Sequence, residues 1–73
     1  MPHINVKMFP GRSDEQKKAL ADKLRACAQE ALGCSADVLS VSVDDIAPEA
    51  WNSEVGEKIP EEKIYSGEMY VVK

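Results

Sequence analysis

Two stretches of this chain alternate apolar and polar residues, and the stretch between them repeats its apolar residues at spacings of three and four. From Ile4 to Phe9, Ile4, Val6 and Met8 alternate with Asn5 and Lys7, the period-two pattern of a strand with one buried face. The run from Val38 to Asp44 repeats it, with Leu39, Val41 and Val43 inward and Ser40, Ser42 and Asp44 outward. Between the two, Leu20, Leu24, Cys27, Ala28 and Ala31 mark the apolar side of a helix, with Lys17, Lys18, Asp22, Arg25 and Gln29 on its other faces. Strand, helix and strand in this order form a βαβ unit, whose strands run parallel with a right-handed crossover.

The helix ends are written in the sequence. Pro10 and Gly11 stop the first strand, and Ser13 with Gln16 three residues on makes a capping-box pair. Asp14 and Glu15 put negative charge in the first turn, where the helix dipole favours it. Gly33 supplies the stop. Beyond the second strand, Pro48, Gly56, Pro60 and Gly67 punctuate an irregular stretch in which only Glu68 to Val72 reads as a late strand. The expected organisation is one domain over residues 1–73, with a βαβ core at 1–44 and a loop-rich C-terminal arm at 45–73 that reaches a neighbour.

The fold class is therefore α+β: a single βαβ unit with one long helix, extended into a larger sheet by association. A chain of 73 residues is close to the size at which only about 60% of the unfolded surface is buried on folding. One helix on two strands leaves a bare sheet face and open edges, which identical subunits are suited to cover.

Thirteen acidic residues against nine Lys and Arg give a net charge of -4, which argues against binding nucleic acid through its phosphates. No apolar run approaches the roughly 20 residues of a bilayer span, and the first residues lack a signal-peptide core, so a cytoplasmic protein with no membrane partner is expected. Cys27, Cys34 and the one histidine, His3, are a poor metal set. Cys27 reads as a small buried helix residue and Cys34 as a loop thiol, in keeping with a reducing compartment. No phosphate-cradling loop and no nucleophile triad is present.

The start, Met1-Pro2, is the informative feature, because an initiator Met before a small residue is commonly removed, leaving Pro2 as a secondary amine. Pro2, the short strand to Phe9, the segment Gly11-Arg12-Ser13-Asp14-Glu15-Gln16-Lys17, the helix ending at Leu32-Gly33 and the strand Val38 to Val43 together resemble the 4-oxalocrotonate tautomerase family. The segment Pro48-Glu49-Ala50-Trp51 and the longer tail resemble its PptA-type branch, which is similar to phenylpyruvate tautomerases. The resemblance runs from Pro2 to Trp51 and is weak beyond.

It implies a tautomerase/MIF-like fold and keto-enol tautomerisation of 2-oxo acids and enols, phenylenolpyruvate-like or 2-hydroxymuconate-like, with Pro2 as general acid and base and no cofactor or metal. Arg12 matches the arginine that binds a substrate carboxylate, usually beside a neighbouring subunit's proline; its plainer reading is a solvated loop residue. The family's second arginine falls at Ser40, which disfavours dicarboxylates; Ser40 reads either as pocket lining or as a solvent-facing strand residue. Trp51 matches the pocket aromatic, or is a core or interface residue. His3 and Lys7 are expected on the sheet face opposite Pro2, and nothing in the spacing selects Tyr65 or Tyr70. The resemblance also implies a homo-oligomer, a dimer or a trimer of dimers, with the Pro48 to Trp51 segment favouring the dimer. Two rival readings share the scaffold: a hydratase, dehalogenase or decarboxylase, which needs an acid or water-activating group the sequence does not single out, and a non-catalytic oligomeric module if Met1 stays attached.

Overall fold

The computed structural model describes residues 1–73. Its elements are β1 (His3–Met8), α1 (Asp14–Leu32), β2 (Ser40–Asp45) and α2 (Pro48–Trp51). A 3₁₀ turn at Ala36–Val38 leads into β2, a π-helical turn at Asn52–Gly56 prolongs α2, and a second 3₁₀ turn at Glu61–Lys63 lies in the arm. The expected α+β, βαβ fold is the observed one: β1 and β2 pair in parallel, with Ile4 opposite Val41 and Val6 opposite Val43 on one face. His3, Asn5 and Lys7 stand opposite Ser40, Ser42 and Asp44 on the other.

Both helix signals act as written. Ser13 Oγ accepts from the Gln16 N–H at 3.2 Å, and Gln16 Oε1 accepts from the Ser13 N–H at 2.9 Å, so the capping box satisfies two amides that the helix start leaves unpaired. Gly33 takes φ 69°, and its N–H donates to Gln29 O at 2.9 Å; a side chain there would be strained.

α1 packs on β2 with Lys17, Leu20, Ala21, Leu24, Arg25 and Ala28 half-buried. Three expectations are corrected here. Cys27 is exposed rather than buried, and Ala31 with it, because two strands are too narrow to cover the whole apolar side of the helix. Val38 belongs to the 3₁₀ turn, which Ser35 caps by accepting the Asp37 N–H at 3.2 Å, so β2 begins at Ser40. Glu68 to Val72 forms no strand.

Arg25, expected on a polar face, instead folds back over the α1–β2 connection. Its Nε–H donates to Ala36 O and Leu39 O, both at 3.1 Å, and a terminal N–H donates to Ala36 O at 2.5 Å. Ala36 O also accepts the Leu39 N–H at 3.1 Å that closes the 3₁₀ turn, so the guanidinium reinforces that turn and supplies a donor to the Leu39 carbonyl just before β2. Leu39 and Val55 make up the two buried residues of the chain. No helix is long and apolar enough to cross a membrane.

Replacing Arg25→Ala removes these bonds to the carbonyls of Ala36 and Leu39, and hydrogen bonds from a charged donor are worth about 1.5–3 kcal/mol. Urea unfolding should lose stability in that range. Arg25→Lys should recover only part of it, since an ammonium cannot span both carbonyls as the planar fork does.

Candidate active site

Pro2 lies just before β1, half-buried, and its carbonyl accepts the Ser40 N–H at 3.4 Å. Strand alternation puts its ring on the side of Ile4 and Val6. Ser40 is therefore a backbone neighbour of Pro2 whose side chain leaves on the opposite face. There Ser40 Oγ is hydrogen-bonded to His3 Nδ1 at 2.6 Å, and Ser42 Oγ to His3 Nε2 at 3.0 Å. Asn5 Nδ2 donates to Ser42 Oγ at 2.8 Å and to Asp44 Oδ2 at 3.0 Å, and Lys7 Nζ reaches the same carboxylate at 3.4 Å. His3 and Lys7 thus occupy the face the sequence assigns them, within a ladder of six polar side chains that spans both strands.

The Asn5 amide, and after it the Lys7 ammonium, hold the Asp44 carboxyl below its ordinary 3.8. At the same end of the sheet, Asp45 accepts from Lys17 Nζ at 2.8 Å, tying α1 to β2 and raising the lysine above its ordinary 10.5.

The far end of β1 carries a second cluster. Ile46 N–H donates to Met8 O at 2.8 Å, which brings the start of the arm beside the end of β1. Pro48 at the head of α2 has a preset φ and no N–H to lose, so the chain turns helical there. α2 delivers Trp51 edge-to-face against Phe9, with ring centroids 5.2 Å apart at 86°. Tyr70 meets the same Phe9 at 6.0 Å and 79°, and its carbonyl accepts the Trp51 Nε1–H at 2.8 Å. Arg12 stands in the connection that leaves this end. It is exposed and, unlike Lys7, Lys17 and Lys18, has no carboxylate partner.

The structure therefore brings Arg12 and Trp51 to one end of β1 and Pro2 and Ser40 to the other. A six-residue strand spans about 20 Å at roughly 3.3 Å per residue, so Pro2 and Arg12 of one chain do not share a pocket. Phe9, the ring that Trp51 and Tyr70 both touch, was visible in the sequence only as the end of a strand, and no spacing marks it as the centre of a cluster. A groove of about 840 Å³ lies wholly within the arm, lined by Ile59, Ile64, Met69 and the acidic Glu57, Glu61 and Glu68 among others. It takes in none of Pro2, Arg12, Ser40 or Trp51.

Comparison with known proteins places this βαβ unit of two parallel strands and one long helix in a class of small enzymes. The model of the family described as "Tautomerase enzyme" matches residues 2–63. Tautomerase PptA of Pectobacterium atrosepticum is 47% identical over 60 residues, which cover 81% of this chain and 79% of that protein. The 2-hydroxymuconate tautomerase of Bacillus subtilis is 37% identical over 46 residues, 63% of this chain and 74% of the relative. Among solved structures, TomN, a 4-oxalocrotonate tautomerase homologue in the tomaymycin biosynthetic pathway, superposes with a TM-score of 0.65 at 38% identity, covering 68% of this chain and 77% of that one. The chain belongs to the tautomerase family, of 4-oxalocrotonate tautomerase type, and is an isomerase.

The Asp44 pair gives a pH dependence with a definite sign. A carboxyl whose folded pKa is depressed stabilises the fold above its unfolded value, near 3.9, and that stabilisation is lost as the pH falls through the lower folded value. Stability should therefore decline on acidification below about pH 5. Thermal melts of Asp44→Asn should show a shallower acid limb, with the wild-type and variant curves converging at low pH.

Proposed function

We propose that the enzyme interconverts keto and enol forms of 2-oxo acids of the phenylenolpyruvate or 2-hydroxymuconate type, with the N-terminal proline as proton carrier. The observation that carries this reading is Pro2, half-buried at the head of β1 behind a Met1 that is 99% exposed and open to removal. Once freed, Pro2 is a secondary amine on a rigid ring. Its neutral form takes the proton of the enol hydroxyl; the oxygen lone pair re-forms the carbonyl, and the C=C pair collects the proton from the prolinium at carbon. The amine is returned neutral and nothing is oxidised. An apolar wall and a nearby cation both disfavour the protonated amine and hold it ready as a base.

Those two features, Trp51 and Arg12, stand at the opposite end of the strand, so the reading requires a second copy to supply them. Association is supported independently: only Leu39 and Val55 are buried, and the two-stranded sheet has both edges open. A twofold dimer is the simplest arrangement that supplies each Pro2 with its partner's arginine. Arg12 then pairs with the substrate carboxylate through its planar fork. Ser40 turns its hydroxyl to His3 on the other sheet face and brings no charge for a second carboxylate, which favours the monoacid phenylenolpyruvate type over the diacid 2-hydroxymuconate type. The free thiols, Cys27 and Cys34, suit a reducing, cytoplasmic setting.

Ultraviolet assay of phenylenolpyruvate ketonisation by Met-processed protein tests the reading. Pro2→Ala should lower the rate by about two to four decades, and a wild-type rate in that variant would refute the proton-carrier role. Arg12→Ala should impair turnover of a carboxylate substrate far more than of its neutral ester. Mixed and reassociated, the two inactive variants should regain up to about a quarter of wild-type activity, since half of random dimers are mixed and each holds one intact site. No recovery would place Pro2 and Arg12 in unrelated roles.

A further inference from the structure

The last six residues, Glu68 to Lys73, form neither strand nor helix, and none of them is buried. They are nonetheless held in place. Gly67, at φ 79°, turns the chain back toward α2 in a conformation that a residue with a side chain resists. Asn52 then grips the backbone of Val72: its Nδ2 donates to Val72 O at 2.7 Å, and its Oδ1 accepts from Val72 N–H at 2.9 Å. A primary amide presents one donor edge and one acceptor edge, so Asn52 does for Val72 what a neighbouring strand would do. This accounts for the missing late strand: a side chain takes the bonds that a ladder would have made.

The grip has a consequence two residues upstream. Fixing Val72 sets Tyr70, whose carbonyl receives the Trp51 Nε1–H and whose ring lies against Phe9. The one Trp, the one Phe and one of the two Tyr of the chain thereby form a single wall at the end of β1 from which Arg12 emerges. Tyr70 is 61% and Val71 56% exposed, so little apolar burial secures this segment if the amide bonds are lost.

We propose that Asn52 is a positioning residue: by latching Val72 it makes Tyr70 part of the wall of the substrate pocket and so biases that pocket toward enols that carry an aromatic ring. The proposal rests on the reading of Arg12 and Trp51 as one side of the substrate site. It assigns selectivity to a residue that touches neither substrate nor Pro2, and to a C-terminal segment with no regular structure of its own.

The test uses the full chain, Met-processed, with phenylenolpyruvate and 2-hydroxymuconate as aryl and non-aryl substrates. Asn52→Ala and Tyr70→Ala should each lower the ratio of the two kcat/KM values by about three- to tenfold, the worth of one aromatic contact. Asn52→Asp keeps the shape and the acceptor but, ionised, cannot donate to Val72 O; it should lower the ratio as well. In both Asn52 variants the Val72 amide should lose hydrogen-exchange protection, and Trp51 emission should shift to the red. An unchanged ratio, or equal losses on both substrates, overturns the proposal. If the wild type turns over neither enol, the tautomerase reading fails separately, and the latch is judged by binding. Titration of Trp51 fluorescence with phenylpropionate and hexanoate should then show a preference for the aryl acid that Asn52→Ala abolishes. A wild type without that preference, or a variant that keeps it, overturns the proposal in that case.

Discussion

Parallel strands cannot be joined by a tight turn, so pairing His3–Met8 with Ser40–Asp45 forces the chain between them into a crossover, and α1 provides it. Much else follows from that constraint. The helix packs on β2, one face of the sheet bears Ile4, Val6, Val41 and Val43, and the other is left to His3, Asn5, Lys7, Ser40, Ser42 and Asp44. The crossover must also end firmly, because a slip of one residue in β2 would exchange its two faces. Gly33 ends the helix, Ser35 caps the turn, and Arg25 binds the carbonyls of Ala36 and Leu39. These three devices act within a few residues of one another, just before the register begins.

The same topology separates the chemistry. A proline at the head of β1 and an arginine beyond its end are divided by the length of the strand, so the unit that folds and the unit proposed to react differ in size. The charged contacts follow the same division. Lys7, Lys17 and Lys18 are neutralised within the chain, whereas Arg12 keeps its charge free at the aromatic end. An unpaired guanidinium at the end of the sheet that also carries the three rings suits an anion with an apolar body.

How much of this was legible in the sequence depended on how local its cause was. The capping box of Ser13 and Gln16, the stop at Gly33 and the alternation from Ile4 to Met8 and from Ser40 to Asp44 are decided within a few residues, and the sequence shows each directly. The family was legible from Pro2 and the segment following Gly11. Arg25 was misread because a polar residue beside the apolar stripe of a helix is ordinarily solvated, and the carbonyls it serves lie eleven and fourteen residues away. Glu68 to Val72 carries strand-like residues, yet a strand needs a partner, and Asn52 had already taken the bonds of Val72. Cys27 was placed inside on periodicity alone, which reports the width of the apolar stripe but not the width of the surface available to cover it. The meeting of Phe9, Trp51 and Tyr70 joins three parts of the chain, and no local pattern encodes it.

The polar ladder on the helix-free face bears on how the protein avoids uncontrolled growth. Open sheet edges invite further strands, and a stack of such sheets becomes a fibre when dry side chains interlock between layers. Here the layer-forming surface is wet and already satisfied: the hydroxyls of Ser40 and Ser42, the amide of Asn5, the imidazole of His3 and the Lys7–Asp44 pair are bonded to one another across the strands. A sheet built in this way can lengthen sideways but offers no greasy floor on which a second layer could condense.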